Sequence, residues 1–264
     1  MGNLIVNAKY GQLSNRLILT AHAISTAISR GDDIFLTEFD DLAPFYNCHF
    51  MSYGGEVQIH HSLLWTAEAY FDRYINLFFS KLLRRQRVLD FSPKIVSSWN
   101  YRDYENVEKY SSDIREFFQP KEEYLENAKI VSSEIWAGKE DLFVGVHIRR
   151  GDYKNWQGGK FYFDDTVYNH VLHNMEDIFE NKRICFILFS NEAVALQNFD
   201  VNSRIVCSKG SAIEDHWLMS KCDYLVGPPS TFTRWAAYMG RKPLAYIESN
   251  EQEFTKASFK YISI

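Results

Sequence analysis

Short apolar runs alternate with longer amphipathic stretches at both ends of this chain, a rhythm that predicts parallel strands joined by helices. Leu4 to Val6 make the first apolar run, Leu17 to Ile28 repeat apolar residues at helical spacing, and Ile34 to Leu36 make the next run. Gly31 can end the intervening helix in the left-handed conformation, so a β-α-β unit opens the chain. The pattern resumes at Leu142 to Ile148, an apolar, partly β-branched run of the kind a strand covered on both faces requires. Asp164 and Asp165 can cap a helix running to about Glu180, ahead of the apolar run Ile184 to Phe189. Ser211-x-x-Glu214 is a capping box for a helix to about Ser220, followed by a strand from Tyr224 to Val226. Ser230 can cap one more helix that stops at Gly240, before a strand from Leu244 to Ile247.

Between these stretches the pattern is helical, from Leu63 to Leu83 and from Lys121 to Ile135, with Pro93 and Pro120 as breaks. Gly138-Lys139-Glu140-Asp141 interrupts the apolar pattern and marks a boundary. The expected organisation is an N-terminal lobe over 1–140 carrying a helical insertion, a second lobe over 141–248, and a tail over 249–264 able to pack back on the N-terminal lobe. The fold class is α/β, with two Rossmann-like lobes facing a cleft.

Composition narrows the function classes. Of 264 residues, 46% are hydrophobic and 24% charged, which supplies a core and excludes disorder. A net charge of −5 argues against nucleic acid as a partner. Cys48, Cys185, Cys207 and Cys222 form no C-x-x-C pair, pointing to a reducing compartment and no structural zinc. The first residues have no basic region ahead of their short apolar run, the Met-Gly start misses the myristoylation pattern, and no run reaches the roughly twenty apolar residues of a membrane span. The expectation is a soluble, cytoplasmic protein.

Several common sites are missing. Gly11-Gln12-Leu13-Ser14-Asn15 has one glycine where the dinucleotide fingerprint needs three, and there is no Walker A loop, G-x-S-x-G elbow, H-E-x-x-H or D-x-D. Glu38-Phe39-Asp40 is the nearest approach to D-x-D and reads better as loop carboxylates. His60-His61 has no third ligand and reads as loop or helix-start residues. Two segments remain. In Val144 to Tyr153 a buried strand ends in His147, Arg149, Arg150 and Asp152, delivering cations to the carboxyl edge of a parallel sheet, where such domains bind ligands. On a strand His147 and Arg149 share a side and Arg150 takes the other. The alternative is a structural Arg149–Asp152 ion pair. In Glu214 to Phe232 a strand ends at Gly227, Pro228 and Pro229 fix a turn, and Ser230 and Thr231 open a helix whose N–H groups and dipole suit a phosphate, although a plain N-cap also explains Ser230.

These residues carry a resemblance. His-x-Arg-Arg-Gly-Asp-Tyr at 147–153 resembles the hallmark of the α-1,2-fucosyltransferases, within the GDP-fucose-dependent enzymes that share His-x-Arg. Gly11 to Arg16 resembles their N-terminal loop, Phe118 to Ile135 their helix before the nucleotide lobe, and Glu214-Asp215 through Cys222 with Ser230-Thr231-Phe232 and Trp235 their C-terminal donor motif. The resemblance implies a GT-B fold and inverting transfer of L-fucose from GDP-fucose to a sugar hydroxyl, α-1,2 to galactose in a glycan, with no cofactor and no obligatory metal. It places Arg149 on the donor diphosphate and His147 beside the nucleotide. Asp215 would be on guanine, Ser230, Thr231 and the Phe232 backbone around the β-phosphate, and Gly11 and Asn15 closing the donor site from the other lobe. Arg149, His147 and Asp152 are the candidate catalytic residues, Asp152 being the carboxylate nearest to hand for a base. Thr233-Arg234-Trp235 departs from the family by inserting a charge, and Asn15-Arg16 departs from the frequent Asn-Gln.

Lys81 to Arg87, centred on Arg84, follows an aromatic amphipathic run from Trp65 to Phe79. It reads as a core helix ending in cations, or as a peripheral contact with the inner face of an anionic membrane. Two other functions fit the residues: the same fold with another nucleotide-sugar donor, and a catalytically silent GDP- or glycan-binding module.

Overall fold

The computed structural model describes residues 3–7, 9, 11–49, 55–59, 94–96, 98 and 100–264. The expected helix over 63–83, the His60-His61 pair and the basic segment around Arg84 lie outside the described residues. The chain divides into two compact units, Met1–Lys121 and Glu122–Ile264.

In the first unit, strand β1 (Asn3–Val6) leads through helix α1 (Leu13–Arg30) to β2 (Asp33–Leu36), followed by β3 (Val57–Ile59) and β4 (Lys94–Val96). The four strands are parallel in the order β3-β2-β1-β4. Helix α1 is buried almost all round from Ser14 to Ala27, which its small and apolar side chains permit, and it ends where Gly31 adopts φ 69° and donates to the Ala27 and Ile28 carbonyls. Short helices α2 (Tyr104–Lys109) and α3 (Ser111–Phe117) pack on α1. A polar link fixes that packing: Asp103 caps α2, accepts from the Thr26 hydroxyl at 2.5 Å, and donates its backbone N–H to His22 Nδ1 at 3.0 Å.

The second unit contains α4 (Glu126–Trp136), β5 (Leu142–Ile148), α5 (Asp165–Ile178), β6 (Ile184–Ser190), β7 (Arg204–Cys207), α6 (Ala212–Lys221), β8 (Tyr224–Gly227), α7 (Thr231–Gly240) and β9 (Leu244–Tyr246). Its five strands are parallel in the order β7-β6-β5-β8-β9. Every residue of the central strand β5 is buried. One face of the sheet packs Val144, Val146 and Ile148 against Tyr168, Leu172 and Met175 of α5, and the other packs Phe143 and Ile187 against α4, α6 and α7. The predicted caps are present: Asp164 accepts from Val167 N, and Ser211 and Glu214 close a reciprocal capping box.

The compact units differ from the expected domain limits at two places. The units divide after Lys121 rather than after 140, because Trp136 of α4 stacks on Phe143 at 4.9 Å and Ile135 joins the core of the second sheet. The tail 249–264 belongs to the second unit: Leu244 and Lys260 exchange backbone hydrogen bonds at 2.9 and 3.0 Å, and Phe254 and Phe259 bury beside Phe179. Aromatic side chains in the tail, rather than its distance along the chain, decide where it packs. Strands β3, β4 and β7 and helices α2 and α3 were not anticipated; each has seven residues or fewer. Among the described residues no helix is long and apolar enough to cross a membrane.

Candidate functional site

The chain builds the second sheet outward from β5 through β6 to β7, then returns to place β8 and β9 on the other side. The crevice at the carboxyl ends of β5 and β8 is therefore a topological switch point, the usual ligand position in open parallel sheets. The two strand ends come unusually close, because a Cβ on Gly227 would lie 2.8 Å from the His147 carbonyl oxygen and 2.9 Å from its Cβ. Only glycine permits that approach.

His147, the penultimate residue of β5, is 4% exposed and sits beneath this edge. Its Nδ1 lies 2.6 Å from the Thr233 hydroxyl, and its ring is 5.2 Å from that of Phe232. His216 of α6, 5% exposed, lies on Phe232 with ring centroids 4.0 Å apart. Burial pushes both imidazoles down to about 3, with Arg149 adding to the effect at His147 and His147 adding to it at His216. Both are neutral near pH 7. His147 is thus placed to position α7 rather than to meet a reactant at the surface.

Arg149 and Arg150 leave the strand in different directions. Arg149 Nη2 pairs with Asp152 Oδ1 at 2.7 Å, and its guanidinium lies 5.2 Å from the centre of the Tyr153 ring. The ion pair raised from sequence as a structural alternative is therefore present, and it orients the guanidinium at the strand end. Arg150 pairs with Asp165, whose other oxygen accepts from Asn198 at 2.5 Å, while Arg150 N donates to Asn191 Oδ1 at 3.1 Å. It locks the loop after β6 to the start of α5. Tyr153 donates its hydroxyl to the Pro229 carbonyl at 2.7 Å and joins the loops after β5 and β8.

Ser230 is the N-cap of α7, accepting from Phe232 N at 3.2 Å, and Thr231 opens the helix. Thr231 and Phe232 are half-buried in this first turn. The helix end adds a positive partial charge close to the strand end that presents Arg149. Arg234 donates to the Tyr246 hydroxyl at 3.2 Å, so the inserted charge bridges α7 to β9. In the first turn of α6, Asp215 accepts from the Ser208 hydroxyl of the preceding loop, and a Cβ on Gly210 would lie 2.9 Å from Asp215 Oδ1. Burial raises the Asp215 carboxyl to about 6, against a lowering by Ser208.

Of the sequence-derived residues, His147, Arg149, Asp152, Ser230, Thr231 and Phe232 gather at the β5–β8 crevice, and Asp215 lies in the first turn of α6 in the same unit, bonded to Ser208 of the loop after β7. Gly11 and Asn15 belong to the first unit, where Gly11 has φ 69° and a Cβ there would lie 2.4 Å from Asn15 Nδ2. Beside them, buried Arg16 donates to Asp41 Oδ2 at 2.8 Å and to the Glu38 carbonyl at 2.6 Å, an anchor for the loop after β2. Tyr153, Thr233, His216 and Ser208 were missed as parts of the site. Tyr153 lay within the motif, but the partners of the others are set by packing across elements. Among the described residues, no three His, Cys, Asp or Glu side chains form a group that could hold a metal ion.

Known proteins agree with this architecture. The family model for glycosyl transferase family 11 matches residues 44–262. Galactoside alpha-(1,2)-fucosyltransferase 1 of Mus musculus is 29% identical over 163 residues, covering 54% of this chain and 42% of that protein, so the match spans less than half the length of the relative. Among solved structures, the fucosyltransferase NodZ from Bradyrhizobium superposes with a TM-score of 0.62 at 15% identity, covering 93% of this chain and 95% of that one. NodZ alpha-1,6-fucosyltransferase soaked with GDP-fucose gives 0.60 at 15% identity, over 100% and 99%. A point mutant of Arabidopsis thaliana FUT1 in complex with GDP gives 0.58 at 11% identity, over 98% and 73%. These likenesses establish the fold as two Rossmann-like α/β units of the GT-B kind. With the family model covering most of the chain, from the end of the first β-α-β unit to the tail, this protein belongs to glycosyl transferase family 11, a family of fucosyltransferases.

Proposed function

We propose that this protein transfers L-fucose from GDP-fucose to a sugar hydroxyl with inversion, and that the hydroxyl is O2 of a galactose in a glycan. The observation that carries the reading is Arg149, oriented by Asp152 at the β5–β8 switch point, where the first turn of α7 also opens. A nucleoside diphosphate bound there gains negative charge as the bond to the sugar breaks. A guanidinium and a helix N-terminus fixed in advance stabilise that growing charge without reorganising. They would serve in place of a metal ion. The carboxylate of Asp215 can accept from the N1–H and the exocyclic amine of guanine, two donors that uracil and adenine do not offer together. Asp152 already holds Arg149, so the acceptor proton leaves to water late in the reaction and no dedicated base is assigned.

NodZ soaked with GDP-fucose supports the donor, and the galactoside alpha-(1,2)-fucosyltransferase supports the acceptor and linkage, NodZ itself being named an alpha-1,6 enzyme. The test is calorimetry of GDP, UDP and ADP with EDTA present, for the wild type and Arg149→Ala, followed by GDP-fucose turnover on galactosides. GDP selectivity that weakens in the variant, with fucose transferred to O2, is expected. Preference for UDP would overturn the guanine assignment, and GDP binding without turnover on any glycoside would leave a binding module.

A further inference from the structure

Trp156 keeps 40% of its surface exposed although it sits in an ordered stack. One neighbour is Tyr153, with centroids 4.7 Å apart and planes at 29°, and another is Phe161 at 5.7 Å. Tyr153 in turn lies 5.2 Å from the Arg149 guanidinium and donates to the Pro229 carbonyl, one residue before the cap of α7. The stack thus runs from Arg149 through Tyr153 to Trp156, from the anion-binding edge outward. Gln157, Gly158 and Gly159 all have positive φ and turn the chain so that Phe161 returns beside the indole.

We propose that the exposed part of the Trp156 indole is a platform for the acceptor, stacking on the C–H face of a hexopyranose ring. The inference rests on the reading that Arg149 holds the donor diphosphate. An acceptor ring then lies one sugar beyond the diphosphate, as Trp156 lies one aromatic ring beyond Arg149. The indole face carries negative quadrupolar charge that suits the weakly positive C–H groups of a sugar, and its rigidity limits the entropy lost on binding. Stacking on Tyr153 holds it in place. The donor unit would then select acceptors as well as bind the nucleotide.

The experiment uses the full chain with GDP present and saturation-transfer NMR of methyl β-galactoside, methyl β-glucoside, methyl β-N-acetylglucosaminide and methyl α-mannoside. Trp156→Ala and Trp156→Phe are compared with the wild type, and calorimetry follows GDP. Transfer to one face of at least one glycoside is expected in the wild type and in Trp156→Phe. It should fall at least tenfold in Trp156→Ala, with GDP affinity unchanged within twofold. Unchanged transfer in Trp156→Ala, or a wild type that binds GDP and none of the four sugars, overturns the platform. So does a loss of GDP affinity in a folded Trp156→Ala, which would assign the ring to the nucleotide. Glycoside binding that depends on Trp156 in a protein that does not bind GDP upholds the platform and removes the donor reading instead.

Discussion

His147 Nδ1 lies 2.6 Å from the Thr233 hydroxyl, a buried bond that ties the end of the central strand to the first turn of the helix proposed to hold phosphate. Thr233→Val keeps the shape and removes the hydroxyl, leaving a buried imidazole nitrogen without that partner. The expected loss is about 2 kcal/mol of unfolding free energy, read from the urea midpoint at pH 7. GDP affinity should fall with it if the bond positions α7, and an unchanged midpoint would show that the contact carries no stability.

Acidification should act on the two histidines and on Asp215 with opposite signs. His147 and His216 titrate at about 3 when folded against an ordinary 6.5, so the unfolded chain binds more protons between those values. Their contribution to stability is complete above 6.5 and declines as pH falls toward 3. Asp215, raised from 3.8 to about 6, binds its proton more readily when folded, and that favours the fold as pH falls from 6 toward 4. Denaturant titrations at several pH values should show the histidines dominating, with stability falling below pH 6.5.

The guanine recognition proposed above would depend on ionised Asp215. GDP affinity is therefore expected to weaken as pH falls through about 6 and to lose that dependence in Asp215→Asn. Calorimetry at pH 7.5, 6.5 and 5.5 checks this, and a flat profile in the wild type would remove Asp215 from the base-binding role.

Arg149→Ala is expected to cost about 3 kcal/mol in kcat/KM for the donor, on the order of a hundredfold, by analogy with removal of one preorganised electrostatic group. Arg149→Lys should recover only part, because an ammonium lacks the planar fork. Asp152→Asn should cost less, with the fold intact, since it alters only the orientation of the guanidinium. Equal losses in Asp152→Asn and Arg149→Ala would instead mark the carboxylate as a participant in its own right.

Gly227→Ala brings a methyl group within 2.8 Å of the His147 carbonyl, against backbone that cannot swing aside. A destabilisation of about 2 kcal/mol is expected from overpacking, with a lower Tm and weaker GDP binding measured together.

Four of the five strands of the second unit, its α-helices and its caps were legible in the sequence because each depends on local patterning. Leu142–Ile148 is a continuous apolar run, Ser211 and Glu214 stand three apart, and Gly31 ends its helix by backbone freedom alone. The cations at the strand end were legible for the same reason, since strand geometry sets their direction. Short strands such as Arg204–Cys207 were not, because four residues carry too little periodicity and are held by pairing with β6. The sequence by itself determined the α/β class, the motif residues and where their backbone would deliver them. Only the tertiary structure decided that Asp152 holds Arg149, that His147 is sealed beneath Phe232 and Thr233, that α4 and the tail join the second sheet, and that Trp156 stands at the outer end of the stack. Those outcomes depend on which apolar faces are left to cover and which side chains meet across elements distant in the chain, and local pattern carries neither.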